Sequence, residues 1–298
     1  MAETRVDLAK QAQAKALEVR RKFNLDPKLP ICIYDICEKL GELYEGKDVT
    51  VQFVPLLGLE GMYINEAKER RILISSCRPL PRKTFTCAHE LGHHLFNHGL
   101  KVDQLEETVT GSQRDPQEFL VDCFAGFLLM PAIAVRYAFT IRGWSPATAT
   151  PQQIFAVACS FGVGYNTLID HMHYTLKLIT EIKARELKKA SPKTIRQDLL
   201  EEPSSSPLLI ADEQWLLKTV DVEVGYQLLL PKTVKIEGDI ISFQASLEVG
   251  SLFKADCPGI ARAYCPDTNW AVMIRVSRFE YTGFSSSTYR HFGEYDDE

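Results

Sequence analysis

Two histidines and a glutamate are spaced for metal chemistry in the segment from Thr84 to His98. His89, Glu90 and His93 form the pattern H-E-x-x-H. If this segment is a helix, His89 and His93 lie one turn apart on the same face, because side chains four residues apart share a face. Two imidazoles placed in this way bind one zinc ion, and the glutamate beside the first acts as a general base. The segment therefore predicts a zinc site for hydrolysis.

A catalytic zinc needs a third protein ligand, and Glu118 is the candidate. It begins an apolar stretch that ends at Pro131 and that must be buried against the first helix. Asp122 follows one turn later, where its carboxylate can accept the far N–H of a ligating histidine. The alternative makes Glu118 a solvated charge at a helix N-terminus. It leaves Asp122 unexplained, because an unpaired carboxylate inside an apolar run is costly.

Other side chains are candidates for secondary roles at this site. Hydrolysis of an amide needs a donor for the developing oxyanion, and the candidates, each of which could equally be a packing residue, are Tyr137, His171, His173 and Tyr174. Cys77, in the loop before the helix, could reach the open position of the metal and inhibit it as a thiolate. His94 and His98 repeat the four-residue spacing, but on a continuous helix they point away from the ligand pair. We expect them to form a polar flank, with metal ligation as the alternative.

Composition indicates a globular protein that is not a dedicated nucleic-acid binder. The chain has 298 residues, 45% of them apolar, and a net charge of -5. Its eight cysteines show no C-x-x-C spacing, which favours reduced thiols in a cytoplasmic protein. The first twenty residues lack the apolar segment of a secretory signal. The longest apolar run, Phe119 to Val135, contains Asp122 and Pro131, and this predicts a buried helix rather than a membrane span.

Short runs of β-branched and aromatic residues before the metal helix predict a small three-stranded sheet. The runs are Val49–Val54, Gly61–Asn65 and Arg71–Ser75. The polar residues between the last two predict a hairpin. An exposed edge of such a sheet can bind an extended peptide by adding it as a further strand. The polar segment 100–116 predicts a mobile loop over the site.

The pattern along the chain predicts an α+β protein with a β-rich C-terminal region. Residues 151–174 contain a helix pair that resembles a helix-turn-helix, although such pairs more often pack a core than bind DNA. The segment 201–207 reads E-E-P-S-S-S-P and is the clearest linker. We therefore expect a metal-binding domain at 1–176 that includes the helix pair, a charged helix and linker at 177–207, and a β-rich domain with a sensory or regulatory role at 208–298.

The two motifs together resemble the ImmA/IrrE family of bacterial zinc metallopeptidases. The resemblance rests on the run R-K-T-F-T-C-A-H-E-L-G-H and on Glu118–Pro131, and it extends over residues 5–175. It implies a mostly helical, gluzincin-like peptidase domain with His89, His93 and Glu118 as ligands of one zinc and Glu90 as the catalytic residue. It also implies that the substrate is a helix-turn-helix transcriptional repressor, which is cut to relieve repression. Related proteins act in stress, DNA-damage or phage-related responses.

Two functional hypotheses follow, and a Glu90→Gln variant separates them. The first is a zinc endopeptidase that cleaves such a repressor. The second is a non-proteolytic regulator that binds a repressor or DNA through the helix pair or the C-terminal domain. The resemblance implies single-stranded DNA as one activator, and a small ligand is the other candidate; no membrane partner is expected. Arginines interleaved with aromatic residues after residue 207 could stack on single-stranded DNA, but acidic residues outnumber basic ones there, which favours an ordinary exposed strand face.

Overall fold

A computed structural model describes residues 4–66, 69–99, 101–104 and 115–291. The chain divides into two compact units. The first runs to Ala134 and takes in Thr282–Ser286, and the second comprises Val135–Tyr281 and the residues from Ser287 onward. Helices and several sheets are both present, in agreement with the predicted α+β class. The predicted domain limits at residues 176 and 207 stay a prediction.

Helices dominate the first two hundred residues and strands dominate the rest. The helices are α1 (Arg5–Lys22), α2 (Ile33–Glu38), α3 (Leu40–Leu43), α4 (Leu80–Leu95), α5 (Pro116–Leu129), α6 (Ala132–Thr140), α7 (Pro151–Ser160), α8 (Tyr165–Asp170), α9 (Glu181–Leu187), α10 (Pro192–Leu200) and α11 (Ser287–His291), with a π-helical turn at His171–Thr175. The strands are β1 (Thr50–Val54), β2 (Leu59–Glu66), β3 (Glu69–Ser75), β4 (Lys101–Gln104), β5 (Leu208–Ile210), β6 (Thr219–Glu223), β7 (Gln227–Leu230), β8 (Lys235–Glu237), β9 (Ile241–Leu247), β10 (Gly250–Ala255), β11 (Gly259–Tyr264), β12 (Ala271–Ser277) and β13 (Gly283–Phe284).

The sheet of the first unit has five strands in the order β13-β1-β3-β2-β4, so the prediction of three strands is wrong in number. The three predicted strands are present as β1, β2 and β3. The predicted hairpin is confirmed, because β2 and β3 pair antiparallel, and β1 joins β3 in parallel. The two additional strands are short, and β13 comes from residues 283–284, more than two hundred residues after β1. Such non-local pairing leaves no periodic signal in the sequence.

The prediction of a loop at 100–116 is wrong at both ends of that segment. Residues 101–104 form β4, which pairs antiparallel with β2 and thereby occupies the edge of the hairpin. Pro116 begins α5. Residue 100 and residues 105–114 of the predicted loop lie outside the described residues.

Helix α1 supports α5 from the side. The sequence predicts an apolar face of Leu8, Ala12, Ala16, Val19 and Phe23. The first four are buried on the helix, and Phe23 is its half-buried C-cap residue. Arg20 is buried as well, and its guanidinium donates to the backbone oxygen of Leu128 at 2.8 Å. That oxygen lies in the last turn of α5, where helix carbonyls lack a partner within the helix. The arginine therefore stabilises the C-terminal end of the helix that carries Glu118.

Helices α4 and α5 approach each other closely at Gly92. A Cβ atom at this position would lie 3.0 Å from both Cδ1 of Phe124 and Cβ of Val121. These distances are shorter than ordinary carbon–carbon contacts. The glycine therefore brings the helix with the H-E-x-x-H motif into direct contact with the helix that carries the third predicted ligand, Glu118, in its first turn.

The second unit contains the helix pair and the β-rich region. Helices α7 and α8 form the predicted pair, and α8 continues into the π-helical turn. The predicted single charged helix is instead two, because Ser191 caps a new helix whose first residue is Pro192. The strands after residue 207 form two four-stranded sheets, ordered β5-β7-β10-β9 and β6-β12-β11-β8. The prediction of a β-rich C-terminal region is thus confirmed.

Among the residues that the structure describes, one helical segment, Pro116–Thr140, is long and apolar enough to cross a membrane by length and composition. In its most apolar window, 67% is buried within the protein. Core helices of proteins that do not span membranes show this pattern, so the burial agrees with the sequence-based expectation of a core helix.

Candidate metal centre

Helix α4 places the two motif histidines with their Nε2 atoms together. His89 and His93 are one turn apart, and both are buried. Their ring centroids are 4.9 Å apart, and the two Nε2 atoms are 3.1 Å apart. The helix starts with Pro81 in its first turn, where a missing N–H costs nothing. The two side chains therefore share one face of the helix, as the sequence predicts, and their imidazoles converge on one point.

Helix α5 brings Glu118 to the same point. Asp115 caps this helix by accepting from the backbone N–H of Gln117 at 3.0 Å. Glu118 lies in the first turn, and its Oε2 is 3.2 Å from Nε2 of His89 and 3.5 Å from Nε2 of His93. The potential ligand atoms of the three residues all lie within 4.8 Å of one another. Glu118 thus joins the two histidines rather than facing solvent as an isolated helix charge.

The spacing of these three atoms fits a tetrahedral cation site. Nitrogen and oxygen ligands lie about 2.0–2.1 Å from zinc, so neighbouring corners of a tetrahedron around it are about 3.3 Å apart. The three observed separations are 3.1, 3.2 and 3.5 Å. Two imidazoles and one carboxylate also form a donor set typical of catalytic zinc, which leaves one corner open. These residues could therefore hold a metal ion of zinc's size and preference.

Asp122 fixes the orientation of His89. Its Oδ1 lies 2.9 Å from Nδ1 of that ring. Burial alone would lower the pKa of His89, but hydrogen bonds to Asp122 and Glu118 reverse this and set it well above the ordinary value. The same contacts act on Glu118, whose pKa is held well below its ordinary value by hydrogen bonds from His89 and then His93. The cluster thus favours a positive charge among its carboxylates, and a bound cation would supply that charge in place of a proton.

Glu90 is fully buried on α4, beside the site and under strand β2. A Cβ atom built on Gly61 of β2 would lie 3.3 Å from Oε1 of Glu90 and 2.5 Å from Cγ2 of Thr86. Only a glycine leaves room for the strand to pass this close. The charge of Glu90 also contributes to raising the pKa of His89. The carboxylate is therefore enclosed between the strand and the helix, next to the side chains that could hold a metal ion, which is where the sequence predicts a general base.

The prediction that His94 and His98 form a polar flank is wrong for both. His94 does point away from the ligand pair, but it is buried. Its Nε2 donates to the carbonyl of Lys47 at 2.9 Å, and the hydroxyl of Tyr63 donates to its Nδ1 at 2.8 Å. Burial lowers the pKa of His94 to about 4, so the ring is neutral near pH 7. His94 thus joins α4 to strand β2, through Tyr63, and to the loop before strand β1, through Lys47.

His98 turns back onto His93, one of the predicted ligands, because α4 ends earlier than expected. The sequence predicts a helix to Asn97 that is stopped by Gly99, but α4 ends at Leu95 and Asn97 has a positive φ of 58°. The Nδ1 atoms of His93 and His98 then lie 2.9 Å apart. Asparagine is the residue, after glycine, that most often takes the left-handed position after a helix. That preference is the signal in the sequence that could have located the helix end.

The remaining residues that the sequence proposes for the site lie in different parts of the chain. Cys77 has an exposed thiol after β3, and the metal-binding group found among the described residues does not include it. The four oxyanion candidates belong to the second unit: Tyr137 lies on α6, His171 is buried in the π-helical turn, His173 is 3.3 Å from the carbonyl of Ile179 through Nδ1, and Tyr174 is exposed. Their role as oxyanion donors stays a prediction.

Comparison with known proteins identifies the region that carries this site. Residues 46–170 match the model of the family Peptidase_M78, described as the IrrE N-terminal-like domain. The matched segment contains His89, Glu90, His93, Glu118 and Asp122. No curated protein matches the chain.

Proposed function

We propose that this chain is a zinc-dependent endopeptidase, because residues 46–170 match the model of a peptidase family described as the IrrE N-terminal-like domain, in line with the ImmA/IrrE resemblance. Its proposed substrate is a helix-turn-helix transcriptional repressor, cleaved to relieve repression in a stress, DNA-damage or phage-related response. One observation carries the zinc and peptidase part of the proposal. Two imidazole nitrogens and a carboxylate oxygen are spaced 3.1 to 3.5 Å apart beside a buried glutamate.

The proposed mechanism assigns one role to each residue of the centre. His89, His93 and Glu118 hold the zinc ion, and Asp122 keeps His89 in the tautomer that presents Nε2. Zinc, when bound, lowers the pKa of water and polarises a carbonyl group. Glu90 accepts the proton of the water that attacks the scissile carbonyl and delivers it to the leaving amine. Glu90 is fully buried, which strengthens its interaction with that proton, because charges interact more strongly where water is excluded.

The proposed substrate class rests on the family resemblance. An extended segment of a repressor could reach such a centre by pairing with the edge of the five-stranded sheet. The sheet has β4 and β13 as its outer strands. Peptide binding by strand addition would therefore use one of these strands or displace it.

The activating signal is proposed to act through the β-rich C-terminal region. Two of its arginines are already held by carboxylates. Arg275 forms a bidentate ion pair with Asp221, in which both N–O distances are 2.6 Å. Arg262 lies 3.2 Å from Oε2 of Glu237. The Arg275 pair is mostly buried, so this guanidinium is poorly placed to bind a phosphate, whereas the exposed Arg262 pair is weak. The Arg275 contact therefore favours a small ligand or a protein over single-stranded DNA as activator.

A cleavage experiment with matched variants tests the proposal. The zinc-loaded chain is incubated with a purified helix-turn-helix repressor encoded beside its gene, and fragments are identified by mass spectrometry. We expect one cleavage in the repressor with wild-type protein and a rate reduced at least about 100-fold in Glu90→Gln, because a general base contributes about 10²- to 10⁴-fold. Glu90→Gln must retain zinc, which serves as the control for folding.

Two results would contradict the proposal. Cleavage by Glu90→Gln at the wild-type rate would show that the fragments arise elsewhere. Derepression of the repressor's promoter to the same extent by wild type and Glu90→Gln, with no fragments, would favour the non-proteolytic regulator.

A further inference from the structure

The end of helix α4 connects His98 to His93 through the backbone and through the side chain. The backbone N–H of His98 donates to the carbonyl of His93 at 3.0 Å, and that of Asn97 donates to the carbonyl of His94 at 3.3 Å. With Asn97 in the left-handed region, these two bonds form a Schellman motif. The motif reverses the chain and sets the imidazole of His98 against Nδ1 of His93, at 2.9 Å.

This contact has a defined direction when His93 binds a metal ion. An imidazole that binds through Nε2 carries its proton on Nδ1. Nδ1 of His93 therefore donates, and Nδ1 of His98 accepts. We propose that His98 is a positioning residue, which holds His93 in the tautomer and ring orientation that present Nε2 to the metal. This inference rests on the metal site of the proposed function.

Packing holds the His98 ring in place for this role. The residue is 9% exposed. Its ring stacks on Phe96, with centroids 6.0 Å apart and planes at 22°. Phe96 packs edge-on against Phe124 of α5, at 5.9 Å and 84°. Because α5 also carries Glu118, the ring that supports one ligand is packed through Phe96 onto the helix that supplies another.

The two histidine ligands consequently have different supports. His89 has the carboxylate of Asp122 at its Nδ1, and His93 has a second imidazole at the same atom. A carboxylate is a charged acceptor and binds about twice as strongly as a neutral one. We therefore expect loss of the His98 acceptor to weaken metal binding, but by less than loss of the Asp122 carboxylate.

Three variants of the full chain distinguish the effect of the hydrogen-bond acceptor at position 98 from the effect of the aromatic ring. His98→Phe keeps an aromatic ring on Phe96 but has no acceptor. His98→Asn restores an acceptor, because its Oδ1 is attached to Cγ as Nδ1 of histidine is. His98→Met is a second acceptor-free variant, in case the phenylalanine variant does not fold. Folding of each metal-free protein is checked by circular dichroism.

The measurement is zinc affinity by competition with a chromogenic chelator. Outer partners of metal ligands typically contribute about 10- to 100-fold in affinity. We expect a loss of about 10-fold in His98→Phe and His98→Met, and a change within about threefold in His98→Asn. In imidazole ¹H–¹⁵N spectra of the zinc-loaded protein, the Nδ1 proton of His93 should resist solvent exchange in wild type and His98→Asn and exchange faster in the other two.

The outcomes distinguish this inference from the proposed function. If wild type binds zinc and the acceptor-free variants bind it equally tightly, the role of His98 is overturned and the metal site stands. An equal loss in His98→Asn and the acceptor-free variants also overturns it, since the ring rather than the acceptor would then matter. If wild type binds no zinc, the proposed function fails together with this inference.

Discussion

Gly61 gives the sharpest structural test of how the site is assembled, because strand β2 passes directly over the catalytic face of α4. In Gly61→Ala, the new Cβ atom would lie 2.5 Å from Cγ2 of Thr86 and 3.1 Å from the carbonyl oxygen of Leu73. Carbon atoms normally touch at about 3.5–4.0 Å, so the strand and the helix must separate by about 1 Å. Overpacking of this kind typically costs about 1–3 kcal/mol in the free energy of unfolding.

The same displacement should affect turnover more than metal binding. The new Cβ atom would also lie 3.3 Å from Oε1 of Glu90, whereas its three nearest atoms include none from His89, His93 or Glu118. A misplacement of about 1 Å near a reacting group can reduce a rate about 100-fold. We therefore expect Gly61→Ala to lower the rate of repressor cleavage by about 10- to 100-fold, with zinc affinity within about threefold of wild type.

A second substitution serves as the control for this prediction. Thr86→Ser removes the methyl group that makes the closest contact, and the double variant Gly61→Ala, Thr86→Ser should recover about 1–2 kcal/mol of the lost stability. The assay is urea unfolding of all four proteins in a double-mutant cycle, together with the cleavage rate. If Gly61→Ala matched wild type in stability and rate, or if Thr86→Ser gave no recovery, the close approach of strand and helix would be refuted.

Three further predictions concern the ligand support, pH and the second unit. Asp122→Asn should weaken zinc binding about 10- to 100-fold, since the amide cannot replace a charged acceptor at His89; an affinity within twofold of wild type would contradict this. The pKa of His94 is about 4 in the folded protein and ordinarily 6.5. At pH values between these two, His94 therefore binds a proton in the unfolded chain but not in the folded one. The contribution of His94 should therefore destabilise the metal-free protein as pH falls from 6.5 toward 4, by up to about 3 kcal/mol, and His94→Gln should remove this part of the slope in urea unfolding; an unchanged slope would contradict it. Asp212→Asn should lower the free energy of unfolding by about 3 kcal/mol, because Arg142, whose side chain is 3% exposed, loses a paired carboxylate in the protein interior; a loss under about 1 kcal/mol would argue against the pair.

The metal centre could be predicted from sequence because its signals are local. The spacing of His89 and His93 is set by one helix, and Asp122 stands out as a carboxylate in an apolar run. Their convergence with Glu118 follows once two apolar helix faces are assumed to pack together. The hairpin of β2 and β3 was likewise predictable, because two alternating runs flank a polar turn.

The features that the sequence did not reveal depend on tertiary contacts or on a single backbone angle. The position of His98 follows from the left-handed conformation of Asn97, which ends α4 four residues before Gly99. A continuous helix would have carried His98 to another face. The close approach at Gly61 depends on how β2 crosses α4, and the strand β13 comes from the far end of the chain. None of these has a periodic pattern, so tertiary structure was needed to find them.

X-ray absorption at the zinc edge of the zinc-loaded protein tests the central claim most directly. We predict one zinc per chain with nitrogen and oxygen neighbours only, at about 2.0–2.1 Å, including the scattering pattern of two imidazoles. His89→Ala should lose one imidazole contribution, and Glu118→Gln should weaken binding without changing the number of imidazoles. A sulfur neighbour at about 2.3 Å, as Cys77 would supply, would instead show that a thiolate closes the fourth position. Fewer than two imidazoles in the wild-type spectrum would contradict a centre formed by His89, His93 and Glu118.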